Sequence, residues 1–306
     1  MQLERMAIWN APTMTDMQER LLDPEELGRI LRRFHHAPRK GYGQHYLIDG
    51  EVTSRMCEAC GAARGMPIVE IGPGVGTLTT ALAAQGMDVV AIEADRSMER
   101  ILSYTCAGLP GVRIVYDDAS RANLASLARS APWWCVGNIP YNITNILVQH
   151  ALAQDPPPEA IVFLVQDDVA RRLAAKEGEW GLSTLATRLQ GTVECIGPPI
   201  PGSAFLPPPA VASRIIRIVP GKRYTKERIA AILAVARIVF QHRRKTLSHA
   251  LRFCVSREAV AGILALSTID GERRPQTLGL DEWFVLAGNV AEWKACNPEG
   301  GGHEPS

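Results

Sequence analysis

The chain has 306 residues, 46% of them hydrophobic and 21% charged, and its 33 Lys and Arg nearly balance its 32 Asp and Glu, for a formal net charge of +1. This length suggests about two domains, and the composition excludes a disordered or fibrous chain. No apolar run reaches the ~18 residues that a membrane span needs, and a nucleic-acid surface would require an uneven distribution of charge.

The chain has seven cysteines, an odd number, and they are scattered along the sequence. This pattern does not resemble a disulfide framework and favours a reducing cytoplasm. Cys57 and Cys60 form a CxxC without a second pair at zinc spacing. We interpret them as two positions of a helix, with a redox or metal role as the alternative, and we expect no metal.

The first 38 residues are predicted to be an N-terminal extension without a secretory signal, loose over residues 1–14. Asp23 and Pro24 are typical of a helix start, and this helix should end within residues 32–36. After Arg39 and Lys40, residues 41–49 form either a solvated linker with a glycine turn or a backbone lid over a cofactor, with the basic pair near a phosphate backbone.

A nucleotide-type site is predicted where the strand 67–71 leads into Gly72-Pro73-Gly74-Val75-Gly76 and then a helix over 77–85. Glycines such as Gly72 and Gly74 let the backbone approach a ligand at a helix N-terminus. The spacing is GxGxG, which differs from the dinucleotide fingerprint and from a P-loop.

Acidic residues end the next two predicted strands. The strand 88–93 ends in Glu93, about twenty residues after the first glycine, where a carboxylate binds a ribose diol. The strand 112–116 is followed by Asp118, which could accept from an adenine amino group. Alone, each acid is more often a helix cap or a solvated charge, but together with Gly72 and Asn138 they describe an adenosyl pocket beside a base pocket.

The stretch Gly137-Asn138-Ile139-Pro140-Tyr141 follows a buried apolar run, 133–136, at a position where α/β sheets place their chemistry. An exocyclic adenine amine is a poor nucleophile until acceptors grip its N–H groups. The Asn138 side-chain oxygen and a backbone carbonyl at residue 139 or 140 could do this. Pro140 stiffens the turn, and Tyr141 offers a face for base stacking. The alternative is a turn with an aromatic ring packed behind it.

Four motifs in order resemble the rRNA adenine N6-dimethyltransferases, most closely the small-subunit branch. They are Gly-Gln-His-Tyr-Leu-Ile-Asp (43–49), Glu-Ile-Gly-Pro-Gly-Val-Gly-Thr-Leu-Thr (70–79), Asp-Asp-Ala (117–119) and Gly-Asn-Ile-Pro-Tyr-Asn-Ile-Thr (137–144). The resemblance spans roughly residues 39–286. It implies S-adenosylmethionine as methyl donor, with contacts from His45, Leu47, Gly72, Glu93, Asp118 and Asn138.

The chain departs from the family pattern at His45, where Asn is usual, at Tyr46, where Phe is usual, and at Ala212, where Asp is usual. A backbone contact from His45 would survive its change. The proline-rich loop 202–211 resembles one that the family places near the target base. Phe205 is its candidate stacking residue, with a hydrophobic plug in the loop as the alternative.

From Gly221 to Arg257 the chain carries ten basic residues and one acid, Glu227. Residues 240–247 resemble the family's C-terminal signature, and Arg243, Arg244 and Lys245 are predicted to bind RNA phosphates; a solvated helix face is the alternative. A closing helix with its lead-in is predicted over 275–286 and a disordered tail over 293–306.

We therefore predict an α/β fold: a class I (Rossmann-like) S-adenosylmethionine-dependent methyltransferase domain over 39–220, with a seven-stranded, mostly parallel sheet. A small all-α, basic RNA-binding domain follows over 221–292. The resemblance implies dimethylation of two adjacent adenines near the 3′ end of 16S small-subunit rRNA, on a pre-assembled small ribosomal subunit, as a step of ribosome maturation. We expect a cytoplasmic monomer with no membrane contact, and catalysis by positioning and desolvation.

Three alternatives remain. A large-subunit rRNA adenine dimethyltransferase of the macrolide-resistance type shares the catalytic core, but residues 243–247 favour the small-subunit branch. A DNA adenine N6 methyltransferase can use Asn-Pro-Pro-Tyr, whereas Ile139 precedes Pro140 here and no long target-recognition domain is present. A ribosome-assembly or transcription factor could retain the fold for binding only.

Overall fold

The computed structural model describes residues 14–39, 41 and 43–297. Its strands are β1 (Tyr46–Leu47), β2 (Pro67–Ile71), β3 (Asp88–Glu93), β4 (Val112–Tyr116), β5 (Trp134–Asn138), β6 (Ile161–Gln166), β7 (Gly191–Ile200), β8 (Phe205–Leu206) and β9 (Ser213–Pro220). Within this part of the chain, seven strands form one sheet in the order β4-β3-β2-β5-β6-β9-β7, and β1 pairs with β8. The predicted α/β fold with a seven-stranded sheet is confirmed.

The helices are α1 (Met14–Leu22), α2 (Pro24–Arg33), α3 (Gly50–Cys60), α4 (Thr77–Ala84), α5 (Glu99–Thr105), α6 (Leu124–Ala128), α7 (Thr144–Leu152), α8 (Asp167–Leu173), α9 (Leu182–Arg188), α10 (Lys226–Gln241), α11 (Leu247–Leu251), α12 (Arg257–Ser267) and α13 (Leu280–Cys296). The predicted start of α2 is confirmed: Asp23 Oδ1 accepts from the N–H groups of Glu25 at 2.8 Å and Glu26 at 2.9 Å. Such a cap satisfies amides that have no partner within the helix.

The strands β2 to β6 run parallel, because β2 pairs with β3 and β5, β3 with β4, and β5 with β6 in that sense. All five residues of β2 are buried, which is why this strand is an unbroken apolar run apart from Glu70. The carboxyl ends of four neighbouring strands therefore meet at one edge of the sheet.

The N-terminal helices belong to the hydrophobic core beside the glycine turn. Met17, Leu27 and Ile30 are at most 2% exposed and share a cluster with Val75 and Met98. Apolar burial on this scale stabilises a helix that would be marginal in isolation. The N-terminal helices thus help to build the core beside the glycine turn, a role that their sequence did not predict, and α1 is not among the predicted helices.

The chain divides into two compact units. One comprises the described residues up to Asp167 together with Ile196–Arg217, and the other comprises Asp168–Cys195 together with the described residues from Ile218 onward. This division differs from the predicted boundary at 220/221 in two segments, 168–195 and 218–220, which belong to the second unit. Its physical basis is a shared core, since Trp180 and Leu185 are buried in one cluster with the C-terminal helices.

The C-terminal end of the described chain differs from the prediction. The tail was expected over residues 293–306, but α13 continues to Cys296 because its buried face includes Val290 and its Trp293 packs against the same core. Residues 298–306, like 1–13, lie outside the described residues. Among the helices of the described part, none combines the length and apolarity that crossing a membrane requires.

Candidate active site

A cavity of about 320 Å³ lies at the carboxyl ends of β2 to β5. Its wall includes these predicted site residues: His45, Leu47, Gly72, Gly74, Glu93, Asp118, Asn138, Pro140 and Tyr141. The structure thus brings together the cofactor and catalytic candidates, with the exception of Phe205. An edge of parallel strands of this kind is the usual place for a ligand in an α/β fold.

The glycine turn lines the cavity in a backbone conformation that residues with side chains rarely adopt. Gly72 and Gly74 have φ of 69° and 56°, a left-handed region that glycine enters without steric cost. A Cβ on Gly74 would lie 3.1 Å from the Tyr46 ring. The turn can therefore come close to a ligand only because both positions lack side chains.

Glu93 is held at the end of β3 by two backbone amides. Its Oε2 accepts from Gly74 N at 3.3 Å and its Oε1 from Asp95 N at 2.8 Å, and the residue is 7% exposed. Burial raises the pKa of this carboxyl above its ordinary value, against those two hydrogen bonds. The group is fixed in the cavity wall, as a contact to a ribose diol requires.

Asp118, after β4, is more open to solvent. Its Oδ1 accepts from the Ser120 amide at 2.9 Å and the Ser120 hydroxyl at 2.7 Å. These bonds to Ser120, with a smaller contribution from Arg121, hold the pKa of Asp118 below its ordinary value. The carboxylate is ionised at neutral pH and can accept a hydrogen bond from an adenine amino group.

The order β4-β3-β2-β5 lines up Asp118, Glu93, Gly72 and Asn138 along the cavity. Thr77 also lines the cavity. Its side chain is 3% exposed, and its Oγ1 has no hydrogen-bond partner. A buried polar group without a partner is costly, so a ligand that bonds to it is favoured. These residues fit an adenosyl cofactor laid across the strand ends.

The turn after β5 has defined hydrogen bonds. Asn138 Nδ2 donates to the His45 carbonyl at 2.8 Å, which leaves Asn138 Oδ1 as an acceptor. The Tyr141 hydroxyl and Ser213 Oγ share a hydrogen bond of 2.9 Å, and burial raises the pKa of Tyr141. The Pro140 carbonyl accepts a long bond of 3.3 Å from Ile143 N.

Residues 43–47 line the cavity and are tied to the residues after β3. Gln44 Nε2 donates to Asp95 Oδ2 at 3.1 Å, and the Arg39 guanidinium donates to Asp95 Oδ1 at 3.3 Å. Burial alone would raise the pKa of Asp95, but hydrogen bonds from Ser97 and Gln44 together with Arg39 lower it. This arrangement favours the lid interpretation over the linker. Lys40 and Tyr42 lie outside the described residues.

Sequence reasoning missed Asp95, Gln44 and Ser213 as parts of the site. Asp95 follows Glu93 by two residues, a spacing typical of a helix cap, and it does accept from the Ser97 amide at 3.0 Å. Its second role, holding the lid, depends on a contact across more than fifty residues. Gln44 belongs to the motif Gly-Gln-His-Tyr-Leu-Ile-Asp (43–49), and this motif is the sequence signal that could have indicated its part in the site.

Phe205 does not reach the cavity. It is 2% exposed, pairs with Leu47 across β1 and β8, and belongs to the core with Met56 and Ile215. The structure therefore does not place Phe205 where it could stack on the target base. It shows the alternative, a hydrophobic side chain that plugs the loop against the core.

Ala212 is another position where the chain departs from the family pattern. Its backbone carbonyl accepts from Asp167 N at 2.9 Å, so this loop is anchored through its main chain.

The predicted RNA-binding residues Arg243, Arg244 and Lys245 lie together on the exposed turn between α10 and α11. Lys245 N donates to the His242 carbonyl at 2.8 Å, and the His242 ring stacks on Phe253 with centroids 3.6 Å apart. The turn is therefore held by local contacts while its three cations face solvent.

Cys57 and Cys60 lie on α3, as predicted, and are buried. Burial raises the pKa of each thiol to about 12. Thiols in such surroundings are protonated at neutral pH and unreactive, so the helix interpretation stands over the redox one.

Comparison with known proteins agrees with this site. The family described as ribosomal RNA adenine dimethylase matches residues 35–286. Ribosomal RNA small subunit methyltransferase A of Dehalococcoides mccartyi (strain BAV1) is 34% identical over 253 residues, 81% of this chain and 87% of the relative. Its namesake in Brucella melitensis is 35% identical over 281 residues, 89% and 97% of the two chains.

Two solved structures share the fold. The 23S rRNA methyltransferase ErmE has a TM-score of 0.63 at 23% identity, over 80% of this chain and 99% of that one. A dimethyladenosine transferase from Plasmodium falciparum has a TM-score of 0.65 at 21% identity, over 80% and 97%. The family match confirms the predicted enzyme class and its cofactor, S-adenosylmethionine. The chain belongs to the ribosomal RNA adenine dimethylase family.

Proposed function

We propose that this enzyme dimethylates N6 of two adjacent adenines near the 3′ end of 16S small-subunit rRNA, as a step in small-subunit maturation. The observation that carries the proposal is Asn138, which lines the cofactor cavity and has its amide N–H committed to the His45 carbonyl at 2.8 Å. That hydrogen bond fixes the orientation of the side-chain amide and leaves its oxygen available to accept from an adenine amine.

The chemistry follows from this geometry. S-adenosylmethionine, when bound, would supply a methyl group on a sulfonium: the N–CH3 bond to adenine N6 would form as the S–CH3 bond breaks, and a neutral thioether would leave. Asn138 Oδ1 and a backbone carbonyl of residue 139 or 140 grip the two N–H groups of N6, which localises the nitrogen lone pair. Tyr141 stacks on the base after it leaves its own stack. The ammonium product is acidic, so its proton is lost without a strong base.

The cofactor contacts in this proposal follow the cavity wall. Glu93 binds the ribose diol, Asp118 accepts from the adenine amino group, and Gly72 and Gly74 allow the close approach of the turn. The lid residues His45 and Leu47 cover the cofactor with backbone groups. Catalysis then consists of positioning and of excluding water.

The small-subunit target is favoured by the relatives named above, which align over most of their own length. The resemblance to ErmE is below 25% identity and supports the fold alone. We further propose a pre-assembled small subunit as the substrate, Arg243, Arg244 and Lys245 as phosphate contacts, and a monomeric enzyme in the cytoplasm that takes part in ribosome biogenesis.

The test uses the purified protein with labelled S-adenosylmethionine and three substrates: small subunits that lack the modification, large-subunit RNA, and duplex DNA. Nucleoside mass spectrometry identifies the product. Dimethyladenosine on small subunits alone is the expected result. Label on large-subunit RNA or on DNA would keep the chemistry and contradict the target, and no label with retained cofactor binding would favour the binding-factor alternative.

Asn138→Ala tests the mechanism. Loss of the acceptor should lower kcat by about 100-fold or more, the scale for removing a group that acts on the transition state, while RNA affinity stays within about two-fold. Asn145→Ala, an exposed position on α7, is the matched control and should retain wild-type turnover. An Asn138→Ala enzyme with near-normal kcat would refute the assigned role.

A further inference from the structure

A second group of basic side chains lies in the first unit, where the end of α2 meets α5 and the turn before it. Arg33, Arg96 and Arg100 are exposed, and each has its guanidinium above an aromatic ring. The guanidinium carbon of Arg33 lies 4.8 Å from the centroid of the Tyr104 ring, and that of Arg100 lies 5.8 Å from the centroid of Phe34. We call these three arginines the arginine patch.

The rings under the arginine patch are fixed by the core. Phe34 and Tyr104 contact each other with centroids 5.5 Å apart, and the Arg96 guanidinium carbon lies 6.0 Å from the centroid of Tyr116. All three rings are half-buried and pack against the hydrophobic cluster that contains Met98. A cation–π contact with a fixed ring restricts the arginine before a ligand arrives, which lowers the entropic cost of binding.

The acids around the arginine patch do not balance its charge. Asp95 is paired with Arg39 at 3.3 Å, and Glu26 is paired with Arg20 at 3.2 Å. Glu99, on α5, is exposed. Three exposed cations therefore stand beside one exposed acid of the same segment, and the surface attracts anions.

The arginine patch lies at the same edge of the sheet as the cofactor cavity. Arg96 comes shortly after the carboxyl end of β3, and Tyr116 is the last residue of β4. The residues after Arg33 lead to the lid, where the His36 ring and the Tyr46 hydroxyl share a hydrogen bond of 2.7 Å. A polynucleotide that places an adenine in the cavity would bring its flanking phosphates to this edge.

We propose that the arginine patch binds phosphates of small-subunit rRNA on either side of the target adenines, as an RNA contact separate from the turn between α10 and α11. This inference rests on the proposed function, because it takes that rRNA as the ligand. Arginine suits the task, since a guanidinium packs on an aromatic ring and can donate two parallel hydrogen bonds to one phosphate.

The salt dependence of binding tests the proposal. Arg96→Gln/Arg100→Gln removes two phosphate contacts, so the slope of log affinity against log salt should fall by about 1.5 units between 50 and 300 mM salt. Filter binding to small subunits that lack the modification gives this slope. The matched control is Arg64→Gln/Arg129→Gln, two exposed positions that precede β2 and β5 at the opposite edge of the sheet.

A charge-retaining variant separates phosphate binding from a structural role of the same contacts. Arg96→Lys/Arg100→Lys keeps both positive charges and should keep the wild-type slope. The affinity for S-adenosylhomocysteine, measured by calorimetry, should stay unchanged in all variants, because the cavity wall contains neither Arg96 nor Arg100. A Lys variant that loses as much slope as the Gln variant, or equal slopes in the Gln variant and its control, would overturn the proposal.

Wild-type protein in the same assay separates this inference from the proposed function. Dimethyladenosine produced by wild type, together with equal slopes in the two Gln variants, contradicts the arginine patch alone. No product from wild type on small subunits contradicts the proposed function and removes the ligand on which this inference rests.

A tethered cleavage reagent tests the position of the RNA directly. Arg33→Cys carries an iron chelate that cuts nearby RNA, in a Cys296→Ser background because Cys296 is exposed. We expect cuts close to the target adenines in bound small subunits. The same reagent on Arg64→Cys should give no cuts there. An absence of cuts from Arg33→Cys, or the same cuts from both positions, would overturn the proposal.

Discussion

Glu70 is a carboxyl group in the middle of the sheet, and it is 1% exposed. Its Oε2 accepts from the Thr79 hydroxyl at 2.6 Å, which offsets only part of the cost of burial. Desolvation therefore raises its pKa from 4.5 to about 7. Because Glu70 also lines the cofactor cavity, its charge state bears on both stability and cofactor binding.

The pH dependence of stability tests this assignment. An acid whose pKa is higher in the folded state binds more protons there between about pH 4.5 and 7, so it lowers stability as pH rises through that window. Glu70→Gln keeps an acceptor for Thr79 and has no charge to bury. We expect its melting temperature to exceed that of wild type by several degrees at pH 8 and to converge with it near pH 5, by calorimetry. A gap that does not change with pH would rule out a titrating Glu70.

Residues at strand ends could be predicted because their backbone position decides their surroundings. Glu93, Asp118 and Asn138 all line the cavity as expected. Phe205 could not be assigned in the same way, since a ring in a proline-rich loop can face a ligand or the core, and the pairing of β8 with β1 decides the matter. The stacking of the His45 and Tyr141 rings, with centroids 6.0 Å apart, could not be predicted either, because it joins two chain segments that lie far apart in sequence.

At the scale of elements, β2 to β5 and α2 were predicted closely, because apolar runs and a capped helix start are local signals. The strand β7 was not predicted: it contains Gly197, Pro198 and Pro199, residues that are usually depleted in strands. Its place beside β9 at the end of the sheet tolerates a residue without an N–H. Edge position is a property of the assembled sheet, so sequence periodicity could not reveal it.

Gly137 links the strand pairing to the site. A Cβ at this position would lie 2.5 Å from the Ile71 carbonyl oxygen and 2.8 Å from the Ile139 side chain. Gly137→Ala should therefore force β5 away from β2, displace Asn138 and lower kcat by more than ten-fold, because an error of about 1 Å in position can cost 100-fold. Gly262→Ala, with open space around its Cβ on α12, is the control. Normal kcat in Gly137→Ala would mean that β5 adjusts without moving Asn138.

At the scale of the whole molecule, a net charge of +1 conceals an uneven distribution. The turn with Arg243, Arg244 and Lys245 concentrates three exposed cations within three residues. Cations that neutralise phosphates release counterions, so each contact adds about 0.7 to 0.9 to the slope of log affinity against log salt. The slope therefore counts contacts, which a single affinity cannot do.

Replacing all three cations with Gln should weaken binding to small-subunit RNA and reduce that slope by about two to three units, measured by filter binding from 50 to 300 mM salt. Replacing Arg32, Arg64 and Arg129, which are also exposed, changes net charge by the same three units and serves as the control. If the two triple variants lose slope equally, net charge governs binding and the turn has no special role. A slope reduced only in the first variant places RNA phosphates at the turn between α10 and α11, and unchanged turnover per bound complex would then separate RNA binding from the chemistry at Asn138.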